Sequence, residues 1–276
     1  MHSLTSAEEL LAGIRRGELF LDYQATFELG SLRARGAEAL IRWDHPQRGV
    51  LRPGQFLPLM AGGLGSALVK RAVTELALDR AITQCGEWRR AGLDIPVSVN
   101  VAPCSLTDST VPAAIDALLR RENVPPDRLT VEVTEQVGQI DTFAARAALD
   151  EIASLDVRLS LDDFGTGDAS LQRLRTLLFH EIKIDQSFVA GVCTQPVDRH
   201  IIAFTIRLAT ELGMEVVAEG VETAPMLHAI AELGPGLGQG YYLHRPSTPP
   251  EIATLFRPTL AIDLRTPGAV EAEALR

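Results

Sequence analysis

Lysine is nearly missing from this chain of 276 residues. Lys70 and Lys183 are the only two among 26 basic residues, which face 36 acidic ones. The resulting formal charge of −10 is spread without any basic stripe, so a nucleic-acid polymer is repelled rather than attracted. An anionic partner would have to be received through cations. Cysteine is scarce as well. Cys85, Cys104 and Cys193 are too scattered for a disulfide framework or a zinc cluster, as expected of a chain in a reducing cytosol. No apolar run approaches the roughly 18 residues of a membrane span, so the chain is expected to be soluble and cytoplasmic, with no membrane insertion. Met1-His2-Ser3-Leu4 lacks the basic-then-apolar layout of a signal peptide. No linker rich in Gly, Ser or Pro divides the sequence. No glycine-rich turn follows a first strand, which counts against a doubly wound sheet.

What is present is globular, with 46% hydrophobic and 22% charged residues, a composition that sets disorder aside for most of the length. Short β-branched runs alternate with longer amphipathic stretches. The expected strands are Leu19–Phe27, Arg35–Trp43, Val97–Ala102, Leu129–Glu135, Val157–Phe164, Glu181–Asp185, Glu215–Glu219 and Gly240–Leu243. Helical periodicity marks Ser66–Glu87, with Leu68, Ala72, Leu76, Ala77 and Ala81 on its apolar face, and Asp141–Leu155. It also marks Pro196–Leu212, through Ile201, Phe204, Thr205, Leu208 and Leu212. Thr223-Ala224-Pro225 has the capping hydroxyl and early proline of a helix start.

Eight strands alternating with helices predict one (β/α)8-type barrel. One connection departs from the regular version. Glu28–Ala34 is too short for a parallel crossover, which needs at least about 10–12 residues. The first two strands should therefore form a hairpin and leave one strand antiparallel, an α/β fold of the modified TIM-barrel kind. A lead-in helix over residues 1–17, a barrel over 18–256 and a partly disordered tail over 257–276 complete the expected organisation.

Polar residues punctuate these strands where a buried strand calls for Val or Ile. Asn100 ends Val97-Ser98-Val99-Asn100, Glu132 lies in a strict alternation ending at Glu135, and Asp162 and Asp163 close Leu159-Ser160-Leu161. Lys183 and Asp185 share one face of Ile182-Lys183-Ile184-Asp185, Glu219 ends Val216-Val217-Ala218, and Glu38 lies in the second strand. Each alone reads as a solvated strand end. Together with Glu222 they point seven carboxylates toward one barrel mouth, where catalytic groups gather. Such crowding is unfavourable unless cations neutralise it. Oxygen ligands without His or Cys select Mg²⁺ or Mn²⁺ rather than Zn²⁺, and carboxylates able to bridge two ions suit phosphoryl chemistry. Lys183 has two readings: a structural ion pair with Asp185 or Asp162, or a cation that orients an attacking water or stabilises charge on phosphate.

These residues resemble a known family. Glu38-Ala39-Leu40, followed by Ile41-Arg42-Trp43, resembles the signature of the EAL-domain cyclic di-GMP phosphodiesterases. It stands with Tyr23-Gln24, Val99-Asn100-Val101, Glu132-Val133-Thr134-Glu135 and Asp162-Asp163-Phe164-Gly165-Thr166-Gly167. Lys183-Ile184-Asp185, Glu219-Gly220-Val221-Glu222-Thr223 and Gln239-Gly240-Tyr241 follow in order, covering roughly residues 18 to 256. The resemblance implies a barrel with one antiparallel strand and hydrolysis of cyclic di-GMP to linear 5′-pGpG by two-metal water activation. Two Mg²⁺ or Mn²⁺ ions are implied as cofactors. By position, Glu38, Asn100, Glu132 and Asp162 would hold one metal, and Asp162, Asp163, Asp185 and Glu219 would serve the second metal and its water. Glu219 is also a candidate general base, Lys183 would hold the water, and Glu222 would complete the acidic shell. Arg42 would grip a phosphate through its guanidinium fork, Gln24 and Gln239 would seat the nucleotide, and Glu135 would anchor the Asp163–Leu171 loop.

The departures from the family pattern lie elsewhere. Ala25-Thr26 replaces Pro-Ile, the glutamate of a Phe-Ile-Pro-x-Ala-Glu stretch is absent after Phe56-Leu57-Pro58-Leu59-Met60-Ala61, Asp168-Ala169-Ser170 replaces Tyr-Ser-Ser, and Met226 replaces glutamine. They bear on rate and regulation more than on reaction type. A non-catalytic cyclic di-GMP receptor and an interaction module that binds neither nucleotide nor metal are the competing functions. Ca²⁺ is expected to inhibit, its coordination being larger and looser. The apolar helix faces suit a homodimer and barrel packing equally.

Overall fold

The computed structural model of the chain describes residues 7–56, 64–107, 110–134, 143–166, 174 and 178–257. After helix α1 (Ala7–Arg15) come strands β1 (Leu19–Glu28) and β2 (Arg33–His45). They form an antiparallel hairpin running from Leu19 opposite Trp43 to Glu28 opposite Arg33. The short connection allows nothing else. Strand β3 (Gly49–Leu51) pairs with the end of β2 and lies outside the ring.

From there strands and helices alternate. Helices α2 (Pro53–Phe56) and α3 (Leu64–Arg90) precede β4 (Val97–Asn100), and α4 (Pro103–Leu106) and α5 (Thr110–Glu122) precede β5 (Leu129–Thr134). Next come α6 (Phe143–Ser154), β6 (Arg158–Phe164), β7 (Glu181–Ile184), α7 (Gln186–Gly191) and α8 (Pro196–Leu212). Strand β8 (Glu215–Ala218), α9 (Ala224–Leu233), β9 (Leu237–Gly238) and α10 (Pro249–Phe256) finish the fold. Strands β2 and β4 to β9 run parallel to their neighbours, and β1 closes the barrel between β9 and β2 antiparallel to both. This is an α/β barrel of eight strands with one reversed, as expected.

Period two divides each strand between two environments. Val99, Val131, Val133, Leu159, Leu161, Ile182 and Ile184 are buried against the helices. The alternate residues face the barrel axis, where Glu38, Glu132, Asp162 and Lys183 are also buried. Beneath that layer the barrel axis holds Ser98, Thr130 and Glu181, which line a cavity of about 210 Å³ reaching Glu132 and Lys183 from below. Helix ends follow local chemistry. The Thr223 side chain accepts from Met226 N at 3.4 Å, and Gly234 takes the left-handed conformation that ends α9.

Three expectations need correction. Helix α3 buries Ala77 and Ala81 as expected, but with Val69, Val73, Leu78, Ile82, Cys85 and Trp88, whereas Leu68 is 61% exposed. The buried face is therefore rotated by about one residue. Helix α8 has the expected bounds and buries Thr205 as expected, but its other buried residues are Ile202, Ile206 and Ala209, and Phe204 and Leu212 are exposed. The last barrel strand is Leu237–Gly238 rather than Gly240–Leu243. The chain turns at Gly240, whose carbonyl accepts from Leu243 N and His244 N at 3.0 and 2.9 Å. A Cβ at Gly240 would lie 2.2 Å from the backbone of Val221. The expected tail lies outside the described residues beyond Arg257, as do Glu135 and the loop positions Asp168 to Ser170.

The phase of α3 is testable. Ile82→Ala should lower unfolding stability by about 2–5 kcal/mol, while Leu68→Ala should stay within about 0.5 kcal/mol, both read from denaturant titration. Equal losses would contradict this phase.

Candidate active site

Lys183 stands at the centre of the upper layer. Its Nζ lies 2.6 Å from Glu219 Oε1, 3.1 Å from Glu132 Oε2, 3.2 Å from Glu38 Oε2 and 3.6 Å from Asp162 Oδ1. It is 2% exposed. Of the two ion-pair partners expected from the sequence, Asp162 is there and Asp185 is not. The Asp185 side chain caps α7 by accepting from Ser187 N at 3.0 Å and from the Ser187 hydroxyl.

Amides tie the acids together. Asn100 Nδ2 donates to Glu38 Oε1 at 2.8 Å and to Glu132 Oε2 at 3.1 Å. Gln239 Nε2 donates to Glu38 Oε2 at 2.8 Å and to Gln24 Oε1 at 3.2 Å, and Gln24 Nε2 donates to His244 O at 2.8 Å. The reversed strand β1 thus delivers Gln24 to the glutamate of β2 through Gln239.

Asp162 and Asp163 are adjacent, so a regular strand would point them to opposite faces. Asp163 instead has φ of 55°, and the β6–β7 register shifts between Leu161 and Phe164. That left-handed kink, unfavourable for a residue with a Cβ, gathers both. Asp162, Asp163 and Glu219 each offer an oxygen within 4.8 Å of the others. Two cavities flank the cluster. One of about 220 Å³ is lined by Glu38, Glu219, Glu222, Gln239 and Gln186. The other, of about 470 Å³, has Asn100, Asp162, Asp163 and Lys70 with apolar walls including Leu40 and Val73. Gln186 was not singled out from the sequence, where nothing separates it from other polar helix residues, and Lys70 was noted as one of two lysines but given no place in the site. Arg42 lies on the same face of β2 as Glu38 and is buried, donating from Nε to Asp22 Oδ2 at 2.8 Å and from Nη1 to Ile41 O at 3.0 Å.

The electrostatics follow from burial. Burial opposes the charge of Lys183, but Asp162, Glu132, Glu219 and Glu38 outweigh it and hold the ammonium well above its ordinary pKa. Burial would also raise Glu38, yet Lys183 and the amides of Gln239 and Asn100 bring it below the usual carboxylate range. Burial and the charge of Glu38 raise Glu132 well above that range, and Asp162 is raised for the same two reasons. Burial, with Asp162 and Glu38 nearby, pushes Glu219 to about 8. Asp163 rises to about 6 through burial and the charges of Asp162 and Asp185. One lysine does not neutralise this many acids. Gln239 Oε1 is buried with no partner among the described residues, an acceptor left over beside Glu38. An all-oxygen donor set, surplus negative charge and an orphaned acceptor fit a hard divalent cation.

Residues 7–246 match the EAL domain family. The chain belongs to that family. This EAL domain is 34% identical over 239 residues to the bifunctional diguanylate cyclase/cyclic di-GMP phosphodiesterase MucR of Pseudomonas aeruginosa, covering 86% of the chain and 34% of MucR. It is 35% identical over 248 residues to the cyclic di-GMP phosphodiesterase RocR of the same species, covering 88% of the chain and 61% of RocR. The solved MucR phosphodiesterase in complex with c-di-GMP superposes with a TM-score of 0.81 at 32% identity, covering 89% of this chain and 98% of that one. The chain thus spans about a third of the length of MucR and under two thirds of RocR. The neighbouring structures place the EAL domain among modified TIM barrels.

Without divalent ions, Glu219 and Asp163, with pKa values of about 8 and about 6, keep protons that the unfolded chain loses near pH 4. Folding is favoured below that pH and loses this advantage as pH rises through about 6 and then about 8. The melting temperature in EDTA should fall from about pH 5 to about pH 8.5, and Mn²⁺ should recover most of it at the alkaline end. A flat metal-free profile would contradict these shifts.

Proposed function

We propose that this EAL domain, a phosphodiesterase barrel over residues 18–256, hydrolyses one phosphodiester of cyclic di-GMP to linear 5′-pGpG with two Mg²⁺ or Mn²⁺ ions. The observation that carries the reading is the cluster of Glu38, Glu132, Asp162 and Glu219 around buried Lys183, with Asp163 alongside. Two relatives named as cyclic di-GMP phosphodiesterases, RocR and PA2567 of Pseudomonas aeruginosa, support it. The cavities on either side of the acids suit a ligand with a base on each side of its phosphates.

Glu38, Asn100, Glu132 and Asp162 would hold one ion, and Asp162, Asp163, Asp185 and Glu219 the other. Bound there, the ions would polarise the phosphodiester and lower the pKa of a coordinated water. Glu219, 2.6 Å from Lys183 Nζ just past the end of β8, would take the proton of the attacking water. Water oxygen would bond to phosphorus as the bond to the leaving 3′ ribose oxygen breaks, and that oxygen would take up a proton from solvent to become the free hydroxyl of 5′-pGpG. Lys183 would steady that water and the growing negative charge, and Asn100 keeps Glu38 and Glu132 aligned. Arg42 would grip a phosphate, while Gln24, Gln239 and Glu222 would line the nucleotide's path and Glu135 would anchor the loop after Asp163.

No helix among the described residues is long and apolar enough to cross a membrane. Three unpaired cysteines, with Cys193 exposed, support a reducing cytosol as the site of action. Helix α8 presents Val197, Phe204 and Leu212, at 67%, 47% and 49% exposure, and these suit an interface with a second copy. Phe204→Asp should then shift sedimentation from dimer to monomer at micromolar concentration. A monomeric parent chain would contradict that assembly.

Purified protein with cyclic di-GMP should yield 5′-pGpG in Mg²⁺ or Mn²⁺. Glu38→Ala should abolish turnover, and Ca²⁺ as the only divalent ion should inhibit it. Tight binding without turnover in either metal would favour a receptor instead. No binding at all would contradict both.

A further inference from the structure

Asp22 stands two positions before Gln24, so both side chains leave the same face of β1. On β2 the same face carries Glu38, Leu40 and Arg42. The hairpin register sets Asp22 opposite Leu40 and Phe20 opposite Arg42, which makes Asp22 and Arg42 diagonal neighbours within reach of long side chains. Two rungs therefore cross the same pair of strands. The inner rung is Gln24–Gln239–Glu38. The outer one is the 2.8 Å ion pair from Arg42 Nε to Asp22 Oδ2, with side-chain exposures of 7% and 20%.

That pair restrains the guanidinium at two points, since Nη1 is also spent on Ile41 O at 3.0 Å. Neither contact uses Nη2. We propose that Asp22 is a positioning residue: it fixes Arg42 so that the remaining edge of the guanidinium meets a phosphate of the cyclic dinucleotide. This rests on the reading of Arg42 as a phosphate-binding group. An unrestrained arginine has many rotamers to lose on binding, and Asp22 has already removed most of them. The opposing effect is repulsion between the Asp22 carboxylate and the phosphate. Orientation wins because the proximal Oδ2 is committed to Nε and charge-assisted hydrogen bonds depend strongly on direction. The outer rung is separate from the Lys183 cluster, so its loss should weaken binding and leave the chemical step alone.

The test compares the parent with Asp22→Ala, Asp22→Asn, Arg42→Gln and the double variant Asp22→Ala/Arg42→Gln. Both steady-state turnover and affinity for cyclic di-GMP are measured, the latter independently of turnover. Asp22→Ala should weaken affinity and raise KM about tenfold, with kcat within about twofold. Asp22→Asn keeps an acceptor oxygen and should recover part of that loss, which a purely structural role for the charge would not give. The double variant should bind no more weakly than Arg42→Gln alone. Unchanged or tighter binding by Asp22→Ala, with Arg42→Gln impaired, would overturn the role of Asp22. So would additive losses in the double variant. Unchanged affinity in Arg42→Gln would overturn the phosphate role of Arg42 and this inference with it. The expected affinity pattern without turnover in the parent would support the role of Asp22 and count against hydrolysis alone.

Discussion

The ammonium of Lys183 on β7 meets Glu38 from β2, Glu132 from β5, Asp162 from β6 and Glu219 beyond β8, all at 3.6 Å or less. It thereby joins side chains from five of the eight barrel strands. A buried charge is tolerated only with partners, and removing one partner of such a group is among the most destabilising changes known. The acids, however, outnumber the lysine. Their pKa values diverge as a result: Glu38 is held low while Glu132, Asp162 and Glu219 are driven up. A cluster left short of positive charge is a cluster prepared for divalent ions. The acidic composition, 36 acidic against 26 basic residues, fits this arrangement, because the surface as a whole repels anions and cations held by the cluster would have to receive them.

The reversed strand is the second constraint. Because β1 returns directly along β2, Gln24 and Asp22 lie beside Glu38 and Arg42. A regular parallel barrel would place a crossover helix between those strands instead. Gln239, just past the two-residue strand β9, bridges Gln24 and Glu38 across the closure. The closing seam of the barrel is thus also a wall of the site. The sharp turn at Gly240 against Val221 sets where Gln239 points, and no larger residue fits that approach.

Much of this was legible in the residues. The hairpin followed from the length of one connection, and the bounds of α8 followed from helical periodicity over Pro196–Leu212. The acidic residues that gather around Lys183 were visible as polar interruptions of apolar strands. The buried face of α8 was less legible, because Val197, Ile201, Phe204 and Leu208 form one apolar face and Ile202 and Ile206 a second one beside it. Packing against β7 and β8 chose the face. Strand β9, two residues long, is below what periodicity resolves. The sequence pattern also could not show that Asp163 adopts a left-handed backbone to join Asp162, nor that Asp185 caps a short helix through Oδ1. These are tertiary choices between local alternatives of similar energy, as is the pairing of Asp22 with Arg42.

Lys183 supplies part of the positive charge that the buried acids require, and divalent ions would supply the rest. Thermal unfolding of Lys183→Met beside the parent, in EDTA and in Mn²⁺, tests it most directly. The variant should melt well below the parent in EDTA and gain more from Mn²⁺ than the parent does. Coincident melting curves in EDTA would contradict this division of charge.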